Sequence, residues 1–314
     1  MSALSSAQLA DFAAQEQAMF DLLFDASLRE HFAQSRTAAL AGYGLSPAAL
    51  QDFETIRLDA LVLDAGMRTD MVLASISKVL PLSFCLLSSM EGGLVLLRQL
   101  LDASLMRTPP AERAGVFATR LSEHVDKLDV ESQHEQLAVN AMLNAERGMA
   151  RMSAARLKAA IENGDHDHVP VLLADWDSHP VTVAPYVSMQ VLPQPYNTLK
   201  KNLCSTEGAG LWRVLNRTPV TVEMRYNALR MDQPRLWLAR ACISAVSACD
   251  PVVEHQTLEV SDGFASLMQY VNGSMSVNDL LAGLQQAGAE ETMLAGVKRG
   301  FRQLLEAGML LAAD

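Results

Sequence analysis

The first half of the chain repeats apolar residues at helical spacing. One early stripe lies along a single helix face and consists of Phe20, Leu23, Phe24 and Leu28. Further along, Ser46-Pro47 supplies the N-cap and the first-turn proline of another helix. A long helix with one polar side is predicted over residues 131–161, and Asn163-Gly164 ends it. These patterns predict an α-helical domain over residues 1–165.

The middle of the chain, residues 166–250, changes from helical spacing to short apolar runs separated by prolines. Five such runs predict strands, over residues 169–174, 181–184, 187–192, 220–226 and 236–243. We therefore expect an antiparallel or mixed sheet in this part of the chain.

The last part, residues 251–314, is predicted to be one strand followed by three short helices. Asp262 or Ser261 caps the first helix, which ends at Asn272-Gly273, and Ser276 with Asp279 caps the second. The third runs to Gly308, after which residues 309–311 return as a short strand. Three helices beside a small sheet describe a winged helix, so the predicted class is α+β: a mostly helical N-terminal domain, a β-containing middle and a C-terminal winged helix.

Composition and charge narrow the class of protein. Half of the 314 residues are apolar, and the formal net charge is −11, which suits a soluble protein and disfavours a wide surface for nucleic acid or anionic membrane. The most apolar stretch, residues 79–101, is broken by Pro81 and by Glu91-Gly92-Gly93, which predicts a buried helical hairpin and not a membrane span. Because no signal peptide is evident, we expect a cytoplasmic location.

The four cysteines carry no recognisable motif. Cys85, Cys204, Cys242 and Cys249 share no C-x-x-C spacing and stand among apolar or small residues. Packing as free thiols is the expected role.

Two segments near the C-terminus resemble a known family. Val271–Leu280, VNGSMSVNDL, resembles the turn before the second helix of PqqD-like peptide-recognition domains, and Leu304–Leu310, LLEAGML, resembles their closing segment. Such domains bind the leader of a ribosomally made peptide as an added strand beside a third helix. The resemblance implies peptide-binding residues on an edge strand and on the third helix: Val253, His255, Thr257, Glu259, Val297, Phe301 and Arg302. For Val297 and Phe301, a core position is an equally simple interpretation.

The helical half carries a second resemblance. Arg68, Ile76–Pro81 and Pro109–Phe117 are similar to the helical front of the partner subunits of multinuclear non-heme iron-dependent oxidases from 3-thiaglutamate and methanobactin biosynthesis. The resemblance implies a non-catalytic partner subunit that presents the cysteine of a precursor peptide to an oxidase, whose reaction would remove the β-carbon of a C-terminal cysteine in the 3-thiaglutamate case. Iron would then belong to the oxidase, and this chain would need no cofactor. A helical bundle kinked at Pro81 explains that proline equally well.

Two other functions stay open. The chain could be a transcription regulator that reads DNA with its winged helix and uses the helical domain as a sensor. However, residues 251–314 hold eight acidic and three basic residues, a net charge of −5 that disfavours phosphate binding. A metalloenzyme could use His166 and His168, which point the same way on an extended segment, together with Asp175, Asp177 or His179.

Charge reverses between residues 200 and 240. Eight basic and three acidic residues give this stretch a net charge of +5. It could receive an acidic peptide or partner, or it could pair with the chain's own carboxylates. The sequence contains no G-x-S-x-G, G-x-G-x-x-G, Walker or H-E-x-x-H pattern, and so it predicts no self-sufficient active site.

Overall fold

The computed structural model describes residues 5–125, 132–164, 172, 174–244 and 251–312. Helices dominate these ranges, and two three-stranded antiparallel sheets accompany them, so the predicted α+β class is confirmed. The helices before the first sheet are α1 (Ser6–Phe24), α2 (Ala26–Gln34), α3 (Arg36–Leu40), α4 (Pro47–Glu54), α5 (Leu58–Val79), α6 (Pro81–Ser88), α7 (Gly93–Gln99), α8 (Ala103–Met106), α9 (Pro110–Ser122) and α10 (Gln133–Asn163).

The rest of the described chain alternates strands and short helices. In order, these are β1 (Pro180–Val183), β2 (Val187–Leu192), α11 (Tyr196–Leu203), α12 (Gly210–Leu215), α13 (Val222–Leu229), β3 (Arg235–Ser244), β4 (Val252–Ser261), α14 (Gly263–Met268), β5 (Asn272–Ser276), α15 (Val277–Gln286), α16 (Glu291–Glu306) and β6 (Leu310–Ala312). Single turns of 3-10 helix lie at Ala41–Tyr43 and Trp176–Ser178.

The order of the strands within the two sheets differs from their order in the sequence. One sheet has the order β5-β1-β6 and the other β2-β3-β4. β4, predicted to begin the C-terminal unit, pairs along its whole length with β3, from Arg235 opposite Ser261 to Ser244 opposite Val252. Of the three C-terminal helices, α15 contacts β5 and α16 contacts β6, whereas α14 contacts β3 and β4. β1, which comes much earlier in the chain, pairs with both β5 and β6.

The sheet β2-β3-β4 lies between two hydrophobic cores. Trp237 and Ala239 of β3 belong to the large core of the helical half. Their neighbours Leu236 and Leu238 belong to a second core, with Val181, Phe264, Val277, Phe301 and Leu310. Because side chains alternate along a strand, β3 contributes one face to each core.

Local sequence explains where several helices begin. Pro81 separates α5 from α6 with a bend of 117°, so the stretch 79–101 forms the predicted buried helical pair, α6 and α7. Ser276 and Asp279 form the predicted capping box of α15. In the described part of the chain no single helix has the length and hydropathy of a membrane span; only α5 and α6 together reach them.

Two strand or boundary predictions differ from the structure, and a third falls mostly outside the described residues. Residues 220–226 were predicted as a strand but lie mostly in α13, because Thr221 caps a helix by accepting a hydrogen bond from the Met224 amide. Asn272-Gly273 lies in β5 and does not end α14, which stops at Met268. Most of the predicted strand 169–174 lies outside the described residues.

Candidate functional site

The outer edge of β4 is a candidate binding surface. β4 has ten residues, contains no proline, and pairs with β3 in an unbroken register. Within the described ranges, no strand pairs with its other side. We call this side of Val252–Ser261 the β4 edge. A long strand without a bulge leaves regularly spaced amide and carbonyl groups available to another strand.

The predicted strand residues Val253, His255, Thr257 and Glu259 share one face of this sheet. Their register partners on β3 are Ile243, Ala241, Ala239 and Trp237, so this face is the one that packs toward the helical core. Thr257 and His255 are exposed, whereas Val253 and Glu259 are half-buried. The opposite face carries Leu258 and Val260, which pack against the second core.

His255 is tied to the long helix α10. Its Nε2 lies 2.7 Å from the Ser153 hydroxyl, which donates its own proton to the Met149 carbonyl at 2.8 Å. Because that hydroxyl has one proton to give, His255 Nε2 is the donor in the first bond. Partial desolvation lowers the pKa of His255, so the ring is neutral at pH 7.

Glu259 joins β4 to α11. Its Oε1 accepts a hydrogen bond of 2.7 Å from the amide of Tyr196, the first residue of α11. A carboxylate at that position offsets the positive end of a helix. The Tyr196 ring stacks on Trp237 with the ring centroids 5.0 Å apart, and burial raises the pKa of the Tyr196 hydroxyl.

A buried carboxylate, Glu146, lies next to the Tyr196 hydroxyl. Glu146 of α10 is fully buried and accepts hydrogen bonds from the Leu82 amide at 2.7 Å, and from the amide and hydroxyl of Ser83 at 2.9 Å and 2.7 Å. The Tyr196 hydroxyl lies 3.5 Å away. Burial outweighs these bonds and raises the pKa of Glu146 to about 7. Sequence reasoning missed Ser153 and Glu146, because only the apolar periodicity of α10 was informative. It missed Tyr196 because the contacts of Tyr196 with Glu259 and Glu146 join residues that are distant in the sequence.

The predicted helix residues occupy different surroundings from the strand residues. Phe301 of α16 is fully buried, and its ring centroid lies 5.1 Å from that of Phe264, so the core interpretation holds for it. Val297 is half-buried against the second core, while exposed Arg302 pairs with Glu306 at 2.8 Å. α16 packs on α15 and β6, and α14 packs on β3 and β4. Through Phe264, α14 therefore links α16 to the sheet that holds the other four predicted residues.

The metal hypothesis finds few donors in the described part of the chain. His166 and His168 lie outside the described residues. Asp175 stands 3.4 Å from His179, and Asp177 pairs with Lys298. Where the structure describes the chain, no group of three or more His, Cys, Asp or Glu residues could hold a metal ion.

The basic stretch 200–240 divides between paired and exposed groups. Arg225 is buried and lies 3.0 Å from Glu135 of α10, while Lys200 pairs with Glu207 and Arg230 with Asp232. Arg213 and Arg217 stand one helical turn apart and are exposed. Glu207 and Asp232 are already counted in the net charge of +5, so among these pairs only the one between Arg225 and Glu135 offsets part of that excess.

No family model, curated protein or solved structure matches this chain.

Proposed function

We propose that this chain is a non-catalytic binding subunit that holds an extended peptide along the β4 edge. The observation that carries the proposal is the length and regularity of that edge: ten residues in continuous register, with the far side unpaired in the described part of the chain. Proteins usually protect such edges by keeping them short, bulged or interrupted by proline. An unprotected one is a template for strand addition.

The main chain of β4 would supply most of the attraction. In an antiparallel pair, residues point their amide and carbonyl groups alternately toward and away from the partner, so half of the ten residues face outward. Each added backbone bond contributes about 0.5–1.5 kcal/mol net. Because these bonds do not depend on the guest's side chains, they favour any extended segment and leave selection to the flanking surfaces.

Two different surfaces flank the β4 edge and would select the guest. On one side stand α10 and the polar pair Ser153 and His255. On the other, α14 packs against β4 with its apolar residues. A guest strand alternates its side chains between these two sides. We therefore expect a preference for peptides with a small polar residue at every second position and an apolar residue between.

The two family resemblances suggest which class of peptide binds to the β4 edge and which class of enzyme is the partner. We propose that the guest is the leader of a ribosomally synthesised precursor peptide, that the C-terminal unit is a winged helix of the peptide-recognition type, and that a separate iron-dependent oxidase modifies the precursor's cysteine. Holding the leader on one subunit makes the encounter of the cysteine with the other intramolecular, which raises its effective concentration.

The test is peptide binding by the purified full chain. We would measure fluorescence anisotropy of the labelled leader of a candidate precursor peptide. Two adjacent variants, Gln256→Pro and Thr257→Pro, give an internal control, because one residue directs its amide toward β3 and the other outward. The Ala241 amide donates to the Tyr186 carbonyl beside β2, so Ala239 also faces β2 and its register partner Thr257 faces outward, whereas Gln256 faces β3. Thr257→Pro should therefore weaken binding about tenfold or more, a loss of about 1.4 kcal/mol, with an unchanged unfolding midpoint.

Three results would contradict the assignment. Binding that survives both proline variants but is lost in Arg302→Ala would move the peptide to α16. Concentration-dependent dimerisation through β4, seen by light scattering without peptide, would make the edge a self-association surface. Tight binding to duplex DNA at physiological salt would favour the DNA-reading alternative.

A further inference from the structure

Two cysteines far apart in sequence meet inside the helical core. Cys85 of α6 is fully buried, and Cys204, at the C-cap of α11, is half-buried. Their Sγ atoms lie 3.4 Å apart across a separation of 119 residues. A disulfide requires the sulfurs to approach to about 2.05 Å, so a modest shift of the side chains would bring them to bonding distance.

Both helices are anchored near this contact. The first turn of α6 is held by Glu146, which accepts hydrogen bonds from the amides of Leu82 and Ser83. The Cys204 amide donates to the Lys200 carbonyl at 2.9 Å, and the other end of α11 is fixed through Tyr196. Because neither helix is free to drift, the two sulfurs are held together by the fold.

We propose that Cys85 and Cys204 are an oxidisable dithiol that forms an intramolecular disulfide on exposure to a low-molecular-weight disulfide such as oxidised glutathione. Formation of this disulfide does not depend on peptide binding. The two cysteines are far apart in the sequence and share no C-x-x-C spacing, so the sequence alone does not indicate that they form a pair.

The difference in exposure between the two cysteines determines which one reacts first. Cys204, the accessible one, loses its proton and attacks one sulfur of the oxidant, which expels the first small thiolate. Cys85 then loses its proton and attacks the Cys204 sulfur of the mixed disulfide, which expels the second. The protons pass to the two released thiolates, so two protein thiols become one disulfide while the oxidant becomes two thiols. Hydrogen bonding to Cys204 and burial raise the pKa of the Cys85 thiol, which makes Cys85 the poorer first nucleophile.

The experiment uses the full chain, reduced and then exposed to oxidised glutathione. After alkylation under denaturing conditions, intact mass spectrometry should show two fewer alkyl groups on the oxidised chain than on the reduced chain, a difference that dithiothreitol added before alkylation abolishes. Peptide mapping should join the peptides that contain Cys85 and Cys204. The oxidised chain should also unfold at a higher urea concentration, because the cross-link restricts the unfolded state.

Variants separate the proposed pair from the other thiols. Cys204→Ser should abolish the cross-link, and Cys85→Ala should stop at one glutathione on Cys204. Cys242→Ser, the matched control on β3, should behave as the unmodified chain. A wild-type chain that stops at a glutathione adduct, or a cross-link mapped to Cys242 or Cys249, would overturn the proposal.

Discussion

Replacing the buried carboxyl of Glu146 with an amide should remove a large part of the pH dependence of stability. The carboxyl titrates at about 7 in the folded chain and at its usual value of 4.5 when solvated. Between those values the folded chain holds this proton while the unfolded chain has lost it. Stability therefore falls as the pH rises through this window, and the loss is complete above pH 7.

The size of the effect follows from the two values. A pKa difference of one corresponds to 1.36 kcal/mol, so titration of Glu146 should lower the free energy of unfolding by about 2–3 kcal/mol between about pH 5 and about pH 8. Glu146→Gln is uncharged at every pH. Its carbonyl oxygen can still accept from the Leu82 amide, but its NH2 group cannot accept from the Ser83 amide, and this loss is the same at every pH. The stability of the variant relative to that of the wild type should therefore rise by about 2–3 kcal/mol from the acidic to the basic end.

The assay is urea unfolding followed by circular dichroism at several values between about pH 5 and about pH 8. The quantity of interest is the free energy of unfolding of wild type minus that of Glu146→Gln, because contributions from His255 and other groups cancel in the difference. Glu162→Gln, an exposed glutamate on the same helix, is the matched control and should give a flat difference. A flat difference for Glu146→Gln as well would refute the reasoning, because the folded pKa would then be near its solvated value.

Three further substitutions test close packing and capping. Gly148→Ala would place a Cβ 2.0 Å from the Ser188 hydroxyl where α10 crosses β2, so it should destabilise the chain by about 1–3 kcal/mol. Gly66→Ala meets nothing within 4 Å and should stabilise the chain by up to about 1 kcal/mol. Thermal unfolding of both variants tests this, and equal effects would contradict the close packing at Gly148. Ser276→Ala removes the cap of α15 and should cost about 0.5–2 kcal/mol in urea unfolding, and an unchanged midpoint would mean that the cap contributes nothing. The Ser276 hydrogen bonds lower the pKa of Asp279, so the stabilisation that this cap provides should be present above the carboxyl's usual value and disappear as the pH falls through its lowered one, which unfolding below pH 4 would show.

Local signals in the sequence predicted local structure well. The capping box of α15, the break at Pro81 and the Asn163-Gly164 stop of α10 depend on residues within a few positions, and all three appear where expected. β1, β2 and β3 also coincide with predicted runs. At residues 220–226 a run of β-branched residues favoured a strand, but the Thr221 cap and burial of Ala228 and Leu229 favour a helix.

Strand pairing could not be predicted, because it depends on contacts between distant residues. The pattern of β4 shows a strand but does not reveal that its neighbour is β3, nor that β1 lies between β5 and β6. The same limit applies to the candidate site. The alternation of Val253, His255, Thr257 and Glu259 could be read directly, whereas the contacts of His255 with Ser153 and of Glu259 with Tyr196 join residues 102 and 63 positions apart.

The position of β1 has a practical consequence for dissecting the protein. A fragment that starts at residue 251 would carry β5 and β6 but not the strand that joins them, and Val181, fully buried on that strand, would be missing from the second core. The same cut would separate β4 from β3. The C-terminal region that resembles a small recognition domain therefore needs β1, from earlier in the chain, to complete its sheet. The truncated fragment would expose an apolar surface and be prone to aggregation, so binding assays should use the whole chain.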